Sequence, residues 1–215
     1  MRRLMDLGIL RFLLLLAGAF FAGATGAQNL LVNASFSSSS GLSGWTFLTD
    51  ADIQNLTTIA CSGTADCGSF QFSPSECCSA PGSGSAKTSS SFFYGNVIAQ
   101  CVSGVVAGSA YDFGAWMRIT SVPGVLPALP GVRVMWFSTS DCSGTSSSNF
   151  AGPPSATWER VGEQAVAPLG AQSARFLLRA GQFGLQGSSV DSELDSAFFG
   201  PSGSVPVELE SFSIE

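Results

Sequence analysis

The chain has 215 residues, no histidine, and 15 acids against 9 Lys and Arg, giving a net charge of −6 at pH 7. This acidic balance disfavours nucleic acids and anionic membrane surfaces as partners. The lack of histidine excludes a Ser-His-Asp triad, a histidine general base and most zinc sites.

The N-terminal stretch predicts a helical secretory signal peptide over residues 1–27. Basic residues precede an apolar run at 12–21, and small residues follow. The run is too short for a membrane-spanning anchor, so we expect no membrane insertion. We place the cleavage after Ala27, with Ala24 as the alternative. The mature protein is then secreted or at the cell surface, or periplasmic in a Gram-negative cell.

Six cysteines lie beyond the signal peptide, and an even number in an exported chain predicts disulfides. Six cysteines allow fifteen connectivities, so their number alone does not pair them. A cysteine-only zinc site is the alternative, which an oxidising compartment disfavours. The six are Cys61, Cys67, Cys77, Cys78, Cys101 and Cys142.

Residues 28–202 predict one β-sandwich domain. Within it, residues 48–90 lack periodicity, are rich in Ser and Gly, and hold four of the six cysteines. We interpret this segment as a long loop stapled by disulfides. Residues 203–215, which include the stretch PVELESF, are expected to form a C-terminal tail or an edge strand.

Short strand-like runs with turn signals between them predict the sandwich. The residues at 147–156, SSNFAGPPSA, are interpreted as a loop. The clearest strand is 109–120, SAYDFGAWMRIT. The other runs lie at 92–105, 131–138, 157–168, 173–180 and 194–200.

Alternation within these strands assigns one face to the core. In 109–120 the inward set is Tyr111, Phe113, Ala115 and Met117, so that Trp116 and Arg118 point outward. The same reasoning in 131–138 and 173–180 directs further arginines outward, and we predict that all of them share one sheet face with Trp116. These arginines are Arg133, Arg175 and Arg179. The other tryptophans, Trp45, Trp136 and Trp158, are expected in the core.

The order of several short motifs resembles the galactose-binding-like jelly-roll carbohydrate-binding modules of exported bacterial proteins. The matching pieces are Asn29-Leu30 with Gly44-Trp45, Gln100-Cys101-Val102, Tyr111 to Arg118, and Leu194 to Phe198. The resemblance implies an all-β, two-sheet antiparallel jelly-roll sandwich. It also implies a non-catalytic module whose partner is a polysaccharide or surface glycan.

The resemblance carries expectations for disulfides and for a metal. It implies a Cys101–Cys142 disulfide, which leaves Cys61 and Cys67 to join Cys77 and Cys78, because adjacent cysteines rarely bond each other. It also implies a structural calcium ion with Asp195 as a ligand. Ser37 stands where the family commonly has an acid, so one ligand is missing. The alternative is that Asp195 binds backbone amides at the strand end.

Two glycan sites are predicted. In the first, Trp116 stacks on a sugar ring, while Arg118, Arg133, Arg175 and Arg179 donate to its hydroxyl or carboxylate groups. In the second, Phe93 and Tyr94 line a site at the loop edge. The alternative for the sheet face is a solvated surface on which arginines pair with acids such as Glu159, Glu163 or Asp112.

The sequence therefore predicts a secreted, non-catalytic carbohydrate-binding module. A structural or adhesive surface protein with the same fold is the alternative. A hydrolase would need a carboxylate pair, and Asp191, Glu193 and Asp195 offer one. Three acids within five residues are more typical of a solvated turn or a cation site, so we expect no enzyme.

Overall fold

The computed structural model describes residues 28–37, 39–49, 70–75, 77–78, 83–90, 96–121, 130–180 and 190–203. The predicted signal peptide, most of the C-terminal tail, Cys61, Cys67, Phe93 and Tyr94 lie outside these ranges. None of the described residues belongs to a helix long and apolar enough to cross a bilayer.

Ten strands form two antiparallel five-stranded sheets, which confirms the predicted all-β sandwich. The order in the first sheet is β1-β4-β9-β6-β7, and in the second it is β2-β3-β10-β5-β8. The strands are β1 (Thr46–Thr49), β2 (Phe70–Ser73), β3 (Ser85–Ser90), β4 (Asn96–Ser103), β5 (Ala110–Ser121), β6 (Gly131–Phe137), β7 (Ser146–Ala151), β8 (Glu159–Val166), β9 (Ser173–Ala180) and β10 (Val190–Pro201).

The core lies between the two sheets and uses the inward faces that alternation predicts. Tyr111 and Phe113 from β5 are buried against Trp136 from β6 and Phe199 from β10. The Tyr111 and Phe199 rings stack with centroids 5.3 Å apart, and the Trp136 ring lies 5.9 Å from that of Phe199. Burying each such side chain contributes about 1.5–3 kcal/mol, so these aromatics join the sheets firmly.

Three strands occupy segments expected to be loops. Strands β2 and β3 lie within residues 48–90, and β7 overlaps 147–156. These strands are at or next to sheet edges and present few apolar side chains to the core, such as Ala86 and Ala151. An edge strand buries little, so its sequence need not alternate, and hydrophobic periodicity misses it.

The chain changes sheet at most connections after β3. Strand β4 is in the first sheet, β5 in the second, β6 and β7 in the first, β8 in the second, β9 in the first and β10 in the second. From β4 onward, consecutive strands other than β6 and β7 therefore have their outer faces on opposite sides of the molecule.

Two disulfides are described, and one matches its prediction. Cys101 on β4 is bonded to Cys142 in the turn between β6 and β7, which confirms the expected pair. Cys77 is bonded to its neighbour Cys78. The expectation that Cys77 and Cys78 each join Cys61 or Cys67 is therefore wrong. Adjacent cysteines rarely bond each other, so the sequence alone favours other partners for Cys77 and Cys78.

Candidate functional site

The predicted single face of arginines is divided between the two sheets. Trp116 and Arg118 lie on the outer face of the second sheet, whereas Arg133, Arg175 and Arg179 lie on that of the first. The prediction that they share a face is wrong. Alternation assigns each side chain to the inside or the outside, but it does not say to which sheet the strand belongs.

On the first sheet, the outer arginines are largely covered. Arg175 and Arg179 are buried, and they lie among a second apolar cluster formed by Leu48, Val97, Ala99, Met135, Phe137, Cys142 and Leu177. The Arg175 guanidinium lies over the Phe137 ring, and its Nη2 donates to the Cys142 carbonyl at 2.7 Å. Burial lowers the pKa of Arg175. Arg133 is half-buried over the Phe150 ring. Arg175 therefore packs against the disulfide-bonded turn, and the three arginines offer little surface.

On the second sheet, two tryptophans and two arginines lie together; we call Trp116, Arg118, Trp158 and Arg160 the Trp/Arg face. Trp116 sits on β5 directly opposite Arg160 of β8 on one side and Asp195 of β10 on the other. Both tryptophans are half-buried, and Arg160 is exposed. The face therefore presents aromatic surface beside guanidinium groups. Residues two positions apart on a strand point to the same side, which places Trp116 with Arg118 and Trp158 with Arg160.

Arg118 is fixed by a carboxylate from the neighbouring strand. Its Nη2 and Nε donate to Glu193 Oε2 at 2.5 and 2.7 Å, and Nη2 also donates to Ser75 Oγ at 2.8 Å. Its guanidinium carbon lies 4.7 Å from the centre of the Trp158 ring. The expectation that Trp158 belongs to the core is therefore wrong: the ring lies on the outer face, beneath Arg118.

Arg160 is positioned by an aromatic ring instead of a carboxylate. Its guanidinium carbon lies 4.4 Å from the centre of the Phe198 ring. A Cβ on Gly114 would lie 2.5 Å from that ring, and one on Gly162 would lie 3.0 Å from it. The two glycines, on adjacent strands, thus leave the space that the Phe198 ring fills. The ring in turn supports the guanidinium.

Asp195 binds backbone amides, which is the alternative to its expected calcium role. It is buried, and its carboxylate accepts hydrogen bonds from the amides of Cys77 and Ser196. Cys77, Cys78 and Asp195 bring their ligand atoms within 4.8 Å of one another, a grouping that could hold a metal ion. Calcium prefers several oxygen ligands, and here two of the three atoms are sulfurs already bonded to each other. The set does not suit calcium.

Two of the three acids proposed for a hydrolase, Glu193 and Asp195, make structural contacts. Glu193 forms the ion pair with Arg118 and is buried, and Asp195 holds the Cys77 amide. A glycosidase pair needs two carboxylates that both reach the substrate. The arrangement of these residues favours a supporting role for both.

Sequence reasoning missed Arg160, Phe198 and the two glycines beneath it. The signal was present in β8, where Val161 and Ala165 are buried and the residues between them are not. Alternation there directs Trp158 and Arg160 outward. No local pattern predicts that Phe198 lies on the outer face. Strand β10 is irregular between Asp195 and Phe198, and this interrupts its alternation.

Comparisons with known proteins show the fold. No protein-family model matches the chain, and no curated protein matches it in sequence. Among solved structures, a family 16 carbohydrate-binding module is similar with a TM-score of 0.54 and 18% identity, covering 80% of this chain and 99% of the module. The enzymatically active domain of bacteriophage CBA120 tailspike protein 4 has a TM-score of 0.56 at 14% identity.

The match to the tailspike domain covers 80% of this chain but only 21% of the tailspike chain. An arabinose-bound α-L-arabinofuranosidase is similar with a TM-score of 0.50 and 10% identity, over 83% of this chain and 27% of the enzyme. These similarities confirm the resemblance to carbohydrate-binding modules at the level of the β-sandwich fold.

Proposed function

We propose that this protein is a secreted, non-catalytic module that binds polysaccharide through the Trp/Arg face. The observation that carries the proposal is Trp116, half-buried on an outer sheet face with Arg160 opposite it and Arg118 two residues along the strand. An aromatic ring can stack on the apolar face of a sugar, and guanidinium groups donate to its oxygens.

Two further observations support the proposal. The fold is that of a family 16 carbohydrate-binding module over nearly the whole of that module. The Cys101–Cys142 disulfide suits an oxidising compartment, in agreement with the signal peptide that the sequence predicts. The second sheet is favoured over the first because its aromatic and basic side chains retain exposed surface, whereas Arg175 and Arg179 are buried.

The test is affinity electrophoresis against a panel of soluble polysaccharides. Trp116→Ala should weaken binding by at least tenfold, equivalent to about 1.4 kcal/mol. The matched control is Leu169→Ala, which removes an apolar side chain that is 94% exposed and lies away from this face. Near-ultraviolet circular dichroism checks that both variants remain folded.

Unchanged binding in a folded Trp116→Ala variant would reject this face as the site. If the wild-type protein binds no glycan at all, the proposal fails. The alternative, a structural or adhesive surface protein with the same sandwich, would then be the better interpretation.

A further inference from the structure

We infer that the glycan bound on the Trp/Arg face is acidic, and that Arg160 binds its carboxylate or sulfate group. The inference rests on the proposed function and adds the chemical class of the ligand. Arg160 and Arg118 occupy the same face, yet their surroundings differ in a way that assigns them different tasks.

Arg118 is already neutralised. Its guanidinium donates twice to Glu193, whose side chain is only 6% exposed, and once to Ser75. A ligand anion would have to compete with a buried carboxylate at this position. Arg118 therefore serves to hold Trp158 and the segment around Ser75 in place.

Arg160 has different contacts from Arg118. It is exposed, and among the described residues its guanidinium makes the contact with the Phe198 ring and no hydrogen bond or ion pair. The acids around it have donors of their own. Asp195 accepts from Cys77 and Ser196, and Glu159 accepts from the Ser155 amide.

The Phe198 ring prepares Arg160 to bind an anion through two oxygens at once. A guanidinium lying over an aromatic ring keeps its N–H donors at the edge of its plane, where they can bind a carboxylate or sulfate with two parallel hydrogen bonds. The ring is itself fixed above Gly114 and Gly162. Less side-chain freedom is then lost on binding, which favours affinity.

Trp116 and Arg160 are spaced for a single sugar. They are directly opposite each other on β5 and β8, so their Cβ atoms lie about 5 Å apart. A pyranose stacked on Trp116 would thus direct a ring substituent toward Arg160. Because the protein as a whole is acidic, a dense polyanion is repelled at long range. The arrangement suits a glycan in which acidic sugars alternate with neutral ones.

The experiment compares an acidic polymer with its neutral counterpart. Full-length protein is titrated with hyaluronan, in which glucuronic acid alternates with an uncharged sugar, and with carboxyl-reduced hyaluronan. Chondroitin sulfate and its desulfated form distinguish a sulfate from a carboxylate ligand. At low salt, we expect hyaluronan to bind tenfold more tightly than its carboxyl-reduced form, or chondroitin sulfate to bind tenfold more tightly than its desulfated form, which keeps its carboxylates.

Arg160→Gln should abolish that preference and leave equal, weak binding to both forms, and Arg160→Lys should restore only part of it. The charge-matched control is Arg133→Gln, on the opposite side of the sandwich, which should keep the full preference. Equal binding of the acidic and neutral polymers by the wild type, or a preference that survives Arg160→Gln, would overturn the inference. If Trp116-dependent binding persists in that case, the proposed function stands alone. Binding to none of these polymers would overturn the inference, whereas the proposed function is rejected only if the wild type also binds nothing in the polysaccharide panel.

Discussion

Arg118 and Glu193 face each other across β5 and β10 and form an ion pair that also binds Ser75. The Glu193 side chain is almost wholly buried, whereas that of Arg118 is 29% exposed. The pair joins the middle of the second sheet to the segment that carries Cys77 and Cys78.

Removing the cation should cost more stability than removing both charges. We expect Arg118→Met to lower the free energy of unfolding by about 2 kcal/mol, because Glu193 is left buried without a counterion. The Arg118→Met, Glu193→Gln double variant should be more stable than the sum of its single changes predicts. Urea denaturation of the four proteins in the cycle measures this coupling. Additive effects would show that the pair contributes no specific interaction.

The two disulfides should differ widely in their contribution to stability. Cys101 and Cys142 are 41 positions apart, whereas Cys77 and Cys78 are adjacent. Loop-closure entropy predicts a loss of about 4 kcal/mol for the Cys101→Ser, Cys142→Ser variant and about 1 kcal/mol for Cys77→Ser, Cys78→Ser. Denaturant unfolding of each double variant provides the measurement.

Peptide mapping without reduction supplies the control for this comparison. It should recover Cys77 and Cys78 bonded within one peptide. Cross-linking of that peptide to Cys61 or Cys67 would contradict the pairing described for this structure.

Gly114 should tolerate no side chain. A Cβ there would lie 2.4 Å from the Val161 carbonyl oxygen and 2.5 Å from the Phe198 ring. Gly114→Ala should therefore push β8 and Phe198 outward and cost about 3 kcal/mol, through overpacking. Thermal unfolding followed by circular dichroism is the measurement.

Gly170→Ala is the comparison for Gly114→Ala. Its Cβ would meet nothing within 4 Å, although its φ of 84° makes it a strained position for alanine. That strain is worth about 1–2 kcal/mol. Equal losses at the two glycines would mean that backbone strain, and not crowding by Phe198, governs both.

Asp141 should titrate at unusually low pH. The Ser143 hydroxyl, then that of Thr139, lowers the pKa of its exposed carboxyl, and Ser143 Oγ donates to Oδ1 at 2.6 Å. Because the folded-state pKa lies below the unfolded one, the associated stability is complete above the unfolded pKa and is lost as the pH falls through the folded value. In NMR titrations of the carboxyl carbon, Ser143→Ala should raise the midpoint. An identical midpoint would show that Ser143 does not act on this group.

The sequence predicts which side chains of a strand point inward, but it does not predict to which of the two sheets the strand belongs. Tyr111 and Phe113 are buried, and Arg118 and Arg133 point outward, as alternation predicts. Alternation is a property of one strand. Whether two strands are neighbours depends on how the chain crosses between sheets, and it does so between Arg118 and Arg133.

Contacts between side chains on different strands could not be predicted from the sequence for a similar reason. Arg118 meets Glu193 from a strand 75 positions later, and Trp158 lies under that arginine instead of in the core. Strand pairing sets which residues meet, and small differences in register decide it. The Cys101–Cys142 pair could be predicted only because the order of motifs resembles a known family.

The first and last described segments are hydrogen-bonded to each other. The Asn29 side chain donates to the Ala197 carbonyl and accepts from the Phe199 amide, and the Leu30 amide donates to the Phe199 carbonyl. Residues 28 and 203 are thus only a few positions from a shared anchor point. A circular permutant that joins them through a short linker, with new ends opened in the exposed turn at 143–145, should retain the sandwich. The order of the strands along the chain can then be changed while the Trp/Arg face, which lies on β5 and at the start of β8, stays intact.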